Sequence, residues 1–374
     1  MLELAIILPT LNERGNLAPL VERIEQAMGP AIGDAGWEVL IVDDDSKDGT
    51  ADEARAIALA DTRVRVIQRI GRRGLASAAI EGFCATAAPF VAVMDADHQH
   101  DPELLPQMLA TLKAEEAEIC VASRFADGAS IQDWAEPERE KLSGMANAMA
   151  RRLTGVELTD PMSGYFMLPT AIARALVPRL SGIGFKVLLD LLATAPKSLG
   201  APMKLKEFPL NFAARREGVS KLDRAVAFDF LAGIYDKTLG RIIPTRFALF
   251  GTVGALGVIV HMAVLASLLF VFEQNFTRPF SAAQGIAVLS AMSFNFWLNN
   301  WLTYRDKRLT GLGAVLRGWA GFCLTCAVGG FANVAVATLL EGRGAHWALA
   351  ALCGILIGSV WNFALSSRFV WGRY

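Results

Sequence analysis

Charge is missing from four long stretches of this 374-residue chain: Phe247–Phe272, Pro279–Tyr304, Gly318–Leu340 and His346–Ser367 contain no Asp, Glu, Lys or Arg. Each can cross about 30 Å of hydrocarbon as a helix. With 53% hydrophobic and only 20% charged residues, the chain is too apolar for an ordinary soluble protein. Net charge is nearly absent too, at −1, which offers nothing to a nucleic-acid partner. Cysteine is scarce, with five in all. Cys84 and Cys120 fall in a region where a cytoplasmic setting disfavours disulfides. Cys323-x-x-Cys326 lies inside an uncharged stretch with no further His or Cys nearby, so its sulfurs read as small hydrophobes. The first apolar run, Met1–Thr10, has no basic start and is broken by Pro9, so it reads as a strand rather than a signal peptide. The N-terminal part is therefore expected in the cytoplasm.

What is present in residues 1–220 is an alternation of short apolar strands and helical stretches. Strands are predicted at Leu2–Leu8, Glu38–Val42, Val64–Gln68 and Phe90–Met94, with helices near Leu17–Met28, Ala51–Ala60 and Ala76–Ala88. That order implies an α/β domain with a mostly parallel sheet and crossover helices. Ligands of such sheets collect at the carboxyl ends of strands. Three polar motifs sit at such ends: Pro9-Thr-Leu-Asn12-Glu13, Asp43-Asp44-Asp45-Ser46 and Asp95-Ala-Asp97-His98-Gln99-His100. A buried strand ending in Asp-x-Asp delivers two hard oxygen ligands, which suit Mg²⁺ or Mn²⁺ and, through it, a nucleotide diphosphate. The same pattern also occurs as a solvated turn or a helix cap, and Asp43 to Asp48 could likewise cap the helix that follows.

Residues 221–246 place Leu222, Val226, Phe230, Ile234 and Ile242 near helical spacing among charged residues, as expected of amphipathic helices lying at a membrane interface; a core helix of the soluble domain is the alternative. Residues 247–374 are expected to form four transmembrane helices. They contain a repeat: Asn295–Tyr304 aligns without gaps to Asn362–Trp371, at the ends of the second and fourth spans, which implies two helical hairpins in parallel arrangement. Arg241, Arg246, Arg305, Lys307, Arg308, Arg317, Arg368 and Arg373 lie on one side of the spans, against Arg278 and Arg343 on the other. The positive-inside rule then puts both termini in the cytoplasm of a multi-pass protein of the plasma (inner) membrane.

Five ordered blocks together resemble the polyprenol- and dolichol-phosphate mannose synthases, inverting family 2 glycosyltransferases of GT-A fold. The blocks are Pro9–Glu13, Ile41–Thr50, Asp95–His100, Asp160-Pro-Met-Ser163-Gly164-Tyr165 and Arg215-Arg-Glu-Gly218-Val-Ser220-Lys221, and residues 247–374 resemble a GtrA-type membrane domain. The resemblance implies a GT-A catalytic domain at 1–220. It assigns Pro9, Glu13 and Asp44 to the nucleotide, and Asp95, Asp97 and Gln99 to Mg²⁺ or Mn²⁺, with Asp95 also at the diphosphate. Arg124, Arg139 and Ser143 would grip the phosphate of the lipid acceptor. Arg215 and Lys221, flanking Gly218, would meet the donor diphosphate or the lipid phosphate. Without the resemblance, Arg124 and Arg139 could equally pair with Glu136, Glu138 and Glu140 on a charged helix face. Two positions depart from the family pattern: Asp190 stands where Glu is usual, and His98 replaces an apolar residue and is expected at the rim without a ligand role.

A phosphate monoester is largely dianionic at neutral pH, its second pKa being about 6, so the acceptor needs no general base. The implied reaction is a single displacement that turns an α-linked nucleotide sugar, GDP-mannose above others, into a β-linked polyprenyl phosphate sugar. Two alternatives stand beside it: UDP-glucose as donor, or a lipid-sugar flippase or scaffold with an inactive transferase domain. The intact Asp95, Asp97 and Gln99 count against the second. A processive polysaccharide synthase is disfavoured because no Gln-x-x-Arg-Trp motif follows the sheet domain.

Overall fold

The computed structural model describes residues 1–72, 74–131, 151, 154–180, 187–199, 203–212, 235, 243–272 and 279–372. They fall into two units, Met1–Thr238 and Leu239–Tyr374, each described by itself.

In the first unit, strands β1 (Leu4–Thr10), β2 (Trp37–Asp43), β3 (Val64–Gln68) and β4 (Phe90–Val93) run parallel. Helices α1 (Leu17–Ile32), α2 (Thr50–Ala60) and α3 (Leu75–Ala85) connect them, and α4 (Leu104–Lys113) follows. Next come β5 (Ile119–Ser123), the short β6 (Ser130–Ile131), β7 (Phe166–Pro169), α5 (Thr170–Leu176), α6 (Val187–Leu199), β8 (Leu205–Pro209) and β9 (Asn211–Phe212). The main sheet has the order β3-β2-β1-β4-β7-β5-β8, and β6 pairs with β9 in a separate ribbon. Only β7 runs against its neighbours β4 and β5.

Alternation along β1 builds both cores. Leu4, Ile6 and Leu8 face Leu20, Ile24 and Met28 of α1 and Met108 of α4, while Ala5 and Ile7 face Ala79 and Phe83 of α3 and Leu188 of α6. All seven residues of β1 are buried, as a central strand covered on both faces requires. Each large aliphatic side chain so enclosed contributes roughly 1.5–3 kcal/mol. Pro9 has no N–H to give to a ladder, and it lies beyond Ile7, the last residue of β1 that pairs with β4. The chain can thus place a proline in its central strand without losing a sheet bond to β4.

The second unit contains α7 (Thr245–Phe272), α8 (Pro279–Leu298), α9 (Leu312–Gly342) and α10 (Trp347–Leu365). Helix α7 packs mainly on α8, and α9 on α10, which gives two hairpins. Among the described residues, three segments are long and apolar enough to cross a membrane: Thr245–Phe270, Leu312–Gly342 and Cys353–Val370. Helix α8 has 20 residues and no charged side chain, and it carries Gln284, Asn295 and several serines among its apolar residues. The repeat has a structural counterpart, because π-helical turns occur at Asn299–Thr303 and Ser366–Val370, matching positions of its two copies. The residues that follow, Tyr304 and Trp371, stack face to face with ring centroids 4.1 Å apart. Trp371 Nε1 donates to Asn300 Oδ1 at 3.1 Å, and the Tyr304 hydroxyl lies 2.5 Å from Ser367 Oγ, so the copies are joined to each other. Each hairpin also seats an asparagine on a glycine: a Cβ on Gly257 would overlap Asn295, and one on Gly329 would overlap Asn362.

Of the expected interface helices at 221–246, only Tyr235 and residues from Ile243 onward are described, so that expectation lies almost wholly outside the described residues.

Candidate active site

The carboxyl ends of β2, β1 and β4 are neighbours in the sheet, so their polar motifs meet at one edge. Because β7 is antiparallel, its leading segment, Asp160 to Tyr165, arrives at that same edge, as does Arg124 after β5. Four non-glycine residues among those described adopt positive φ, and three of them lie here: Asn12 at 56°, Asp45 at 57° and His98 at 64°. Asn, Asp and His tolerate this left-handed region best, and its concentration at one edge is typical of functional loops.

The loops after β1 and β2 are stitched together. Ser46 Oγ accepts the Asn12 N–H at 2.9 Å, Thr50 Oγ1 accepts that of Glu13 at 2.9 Å, and Asp48 Oδ2 accepts that of Arg14 at 3.2 Å. Within the acidic turn the carboxylates divide their work. Asp43 takes the Ser46 N–H at 3.0 Å, and Asp48 takes the Thr50 N–H at 3.0 Å at the start of α2. These two are caps. Asp44 is buried and held differently: it is ion-paired to Arg69 and accepts the Gly74 N–H at 2.6 Å. Burial, the largest influence, raises the Asp44 carboxyl above the usual range, against the lowering effects of Gly74 and Arg69. A carboxylate kept in place against burial is a common mark of a binding site. Glu13 accepts Asn16 Nδ2 at 2.8 Å.

Arg69 carried no role in the sequence reading. It is buried, and besides Asp44 it donates to the Gly74 carbonyl at 3.1 Å and to Ser77 Oγ at 2.6 Å. The one signal for it was its place just after β3, which borders β2.

After β4, Asp97 is buried and its Oδ1 accepts the Gln99 N–H at 3.2 Å. Gly164 backs Asp95: a Cβ there would stand 3.1 Å from Asp95 Oδ2. Among the described residues no group of three or more His, Cys, Asp or Glu side chains could hold a metal ion. Asp95, Asp97 and Gln99 supply two carboxylates and an amide oxygen, hard donors of the type that Mg²⁺ and Mn²⁺ take. His98, expected at the rim, is buried with its backbone in the left-handed turn, which corrects that expectation.

Glu136, Glu138 and Glu140, the partners of the alternative reading, lie outside the described residues; among those described, Arg124 pairs with Asp160. Its Nε and Nη2 fork onto the fully buried Asp160 at 2.7 and 3.0 Å. Glu207 of β8 fixes the same corner by accepting the Thr159 N–H at 2.9 Å and the Thr159 hydroxyl at 2.7 Å. Asp160 belonged to a motif quoted from the sequence, but its partner could not be read there. Asp190 is buried, with Thr194 Oγ1 3.4 Å from its Oδ1. Arg139, Ser143, Arg215 and Lys221 lie outside the described residues.

Sheet order, the reversed β7 and the polar carboxyl edge define a GT-A-type domain, joined in this chain to a helical unit with membrane-capable spans. Residues 5–176 match the Glycosyl transferase family 2, and residues 249–371 match the GtrA/DPMS, transmembrane domain. A dolichol-phosphate mannosyltransferase from Pyrococcus furiosus is 31% identical over 99% of this chain and 99% of its own. One from Saccharomyces cerevisiae is 36% identical over 62% of this chain and 85% of its own. A polyprenol monophosphomannose synthase from Mycolicibacterium smegmatis is 33% identical over 58% and 80%. The chain is a membrane glycosyltransferase and belongs to the dolichol-phosphate mannosyltransferase family.

Proposed function

We propose that this protein transfers mannose from GDP-mannose to a polyprenyl phosphate, with inversion, at the cytoplasmic face of the plasma (inner) membrane. The observation that carries the reading is the gathering of Glu13, Asp44, Asp95 and Asp97 on one edge of β2, β1 and β4. Its likeness over both units to a dolichol-phosphate mannosyltransferase supports it. Pro9, Glu13 and Asp44 border the nucleotide, with the two carboxylates accepting hydrogen bonds from base and ribose. Asp95, Asp97 and Gln99 hold Mg²⁺ or Mn²⁺, which when bound neutralises the charge that grows on the departing diphosphate. Arg124, Arg139 and Ser143 grip the acceptor phosphate. The fork to Asp160 fixes the orientation of the Arg124 guanidinium at this edge. Arg215 and Lys221 add positive charge where two anions must approach. The acceptor is its own nucleophile, so the protein's work is alignment and charge screening.

In this reading α8 crosses the bilayer as a fourth span, and the cationic residues between α8 and α9 share the cytoplasmic side with both termini and the catalytic unit. The domains run 1–220, 221–246 and 247–374, and the bilayer is a partner as much as the two substrates. Asp97→Ala should abolish transfer while leaving the melting temperature close to that of the parent, and chelation should do the same reversibly. Full turnover in chelator, with metal shown by elemental analysis to be gone, would refute the metal assignment.

A further inference from the structure

Asp95 is held by a neighbour to which the reaction scheme assigns nothing. The imidazole of His100 is buried, and its Nδ1 accepts the backbone N–H of Asp95 at 2.9 Å. Its ring stacks on Tyr165, with centroids 5.1 Å apart and planes inclined by 23°. Tyr165 is fully buried and donates its hydroxyl to the Asp101 carbonyl at 3.0 Å, so the ring beneath His100 is itself anchored. Because Nδ1 accepts, the neutral imidazole carries its proton on Nε2. That nitrogen lies 3.8 Å from Asp95 Oδ2, too far for a hydrogen bond, with its N–H dipole favouring the carboxylate charge. The turn between the two residues is tight, with His98 at positive φ and Gln99 N–H bonded to Asp97 Oδ1 at 3.2 Å.

We propose that His100 is a positioning residue. Its Nδ1 bond to the Asp95 amide, braced by the stack on Tyr165, closes the turn from Asp95 to His100 and so presents Asp95, Asp97 and Gln99 as one oxygen set to a divalent cation. The inference rests on the assignment of the metal to those three residues. Partners that orient metal ligands without touching the ion typically change affinity ten- to a hundredfold when removed, because the ion must then order the site itself. Gly164 tests the same geometry from the opposite side. A Cβ there would crowd both Asp95 Oδ2 at 3.1 Å and His100 Cε1 at 3.4 Å, without removing the His100 hydrogen bond.

The experiment is a Mn²⁺ titration, followed by electron paramagnetic resonance, on the full-length protein in detergent, with melting temperatures taken in parallel. Asparagine can set its Oδ1 where Nδ1 stands, whereas glutamine and phenylalanine cannot. His100→Gln and His100→Phe should therefore weaken Mn²⁺ binding about ten- to a hundredfold, while His100→Asn stays within about threefold of the parent. Gly164→Ala should weaken it as well. If His100→Phe fails to fold, the Asn and Gln pair carries the comparison, since the two differ in where the acceptor sits rather than in polarity. Unchanged affinity in His100→Gln, or a loss in His100→Asn as large as in His100→Gln, overturns the proposal provided that Asp97→Ala has lost the ion. Undiminished Mn²⁺ binding in Asp97→Ala overturns the metal assignment itself and, with it, the inference.

Discussion

Asp44 and Asp48, four residues apart, show how one acidic turn serves both binding and folding. Burial works against the charge of Asp48, but hydrogen bonds from Thr50 and Arg14 outweigh it and hold the carboxyl below its ordinary value. A lowered folded value stabilises the protein above the unfolded value, and the contribution is lost as pH falls through the folded one. Asp48→Ala should therefore cost about 1 kcal/mol at neutral pH, as loss of a helix cap does, and the gap to the parent should close only below the ordinary aspartate range. Denaturant melts at a series of pH values check this, and a gap already closing between neutral pH and about 5 would contradict it. Asp44 shifts the other way, because burial raises its carboxyl, so its ionised form is maintained at a cost that fits a binding role. The acidic residues of the site were legible in the sequence because they crowd the ends of apolar runs. Arg69 was not, since it sits 25 residues from Asp44 and only the adjacency of β2 and β3 unites them. His100 stood in a quoted motif, but a stack on Tyr165 spans distant chain segments and leaves no local trace.

Elements place those residues, and α3 shows how closely they pack. A Cβ on Gly82 would come within 2.6 Å of Ile7 Cγ2, so the helix rides directly on the central strand that carries the site. Gly82→Ala gains about 1 kcal/mol of helix propensity but overpacks this contact, which costs typically 1–3 kcal/mol. The expected outcome is a lower melting temperature, restored when Ile7→Val is added. A stabilised single variant would show that α3 lies farther from β1. Periodicity located the first seven elements closely, Val64–Gln68 without error, because each is a short apolar run bounded by polar turns. Helix α1 ran past its predicted end at Met28 through Pro30 to Ile32, and there the Gly33 N–H bonds the Gly29 carbonyl at 3.0 Å. What periodicity could not supply was the antiparallel insertion of β7 between β4 and β5, since pairing between strands so distant in sequence is not written in either one. That insertion brings Asp160 and Gly164 to the site.

At the scale of the molecule, the polar sheet edge and the membrane-capable helices lie in separate units with separate cores. The membrane unit keeps Asp, Glu, Lys and Arg out of the interiors of its helices α7 and α8, which leaves little there for glycosyl transfer. Its doubled hairpin, with matching π-turns and the stacked Tyr304 and Trp371, was readable as a sequence repeat, whereas the way its two copies grip each other was not. In the proposed function, donor choice, metal use and acceptor phosphate all belong to the sheet edge. The most direct test is product formation by the full-length protein given a polyprenyl phosphate, Mn²⁺ and either GDP-mannose or UDP-glucose, read by mass spectrometry of the lipid fraction. The account predicts a mannosylated polyprenyl phosphate from GDP-mannose, lost on chelation and regained with Mn²⁺. A glucosylated lipid formed from UDP-glucose with GDP-mannose left unused, or a product that forms equally well without metal, would contradict it.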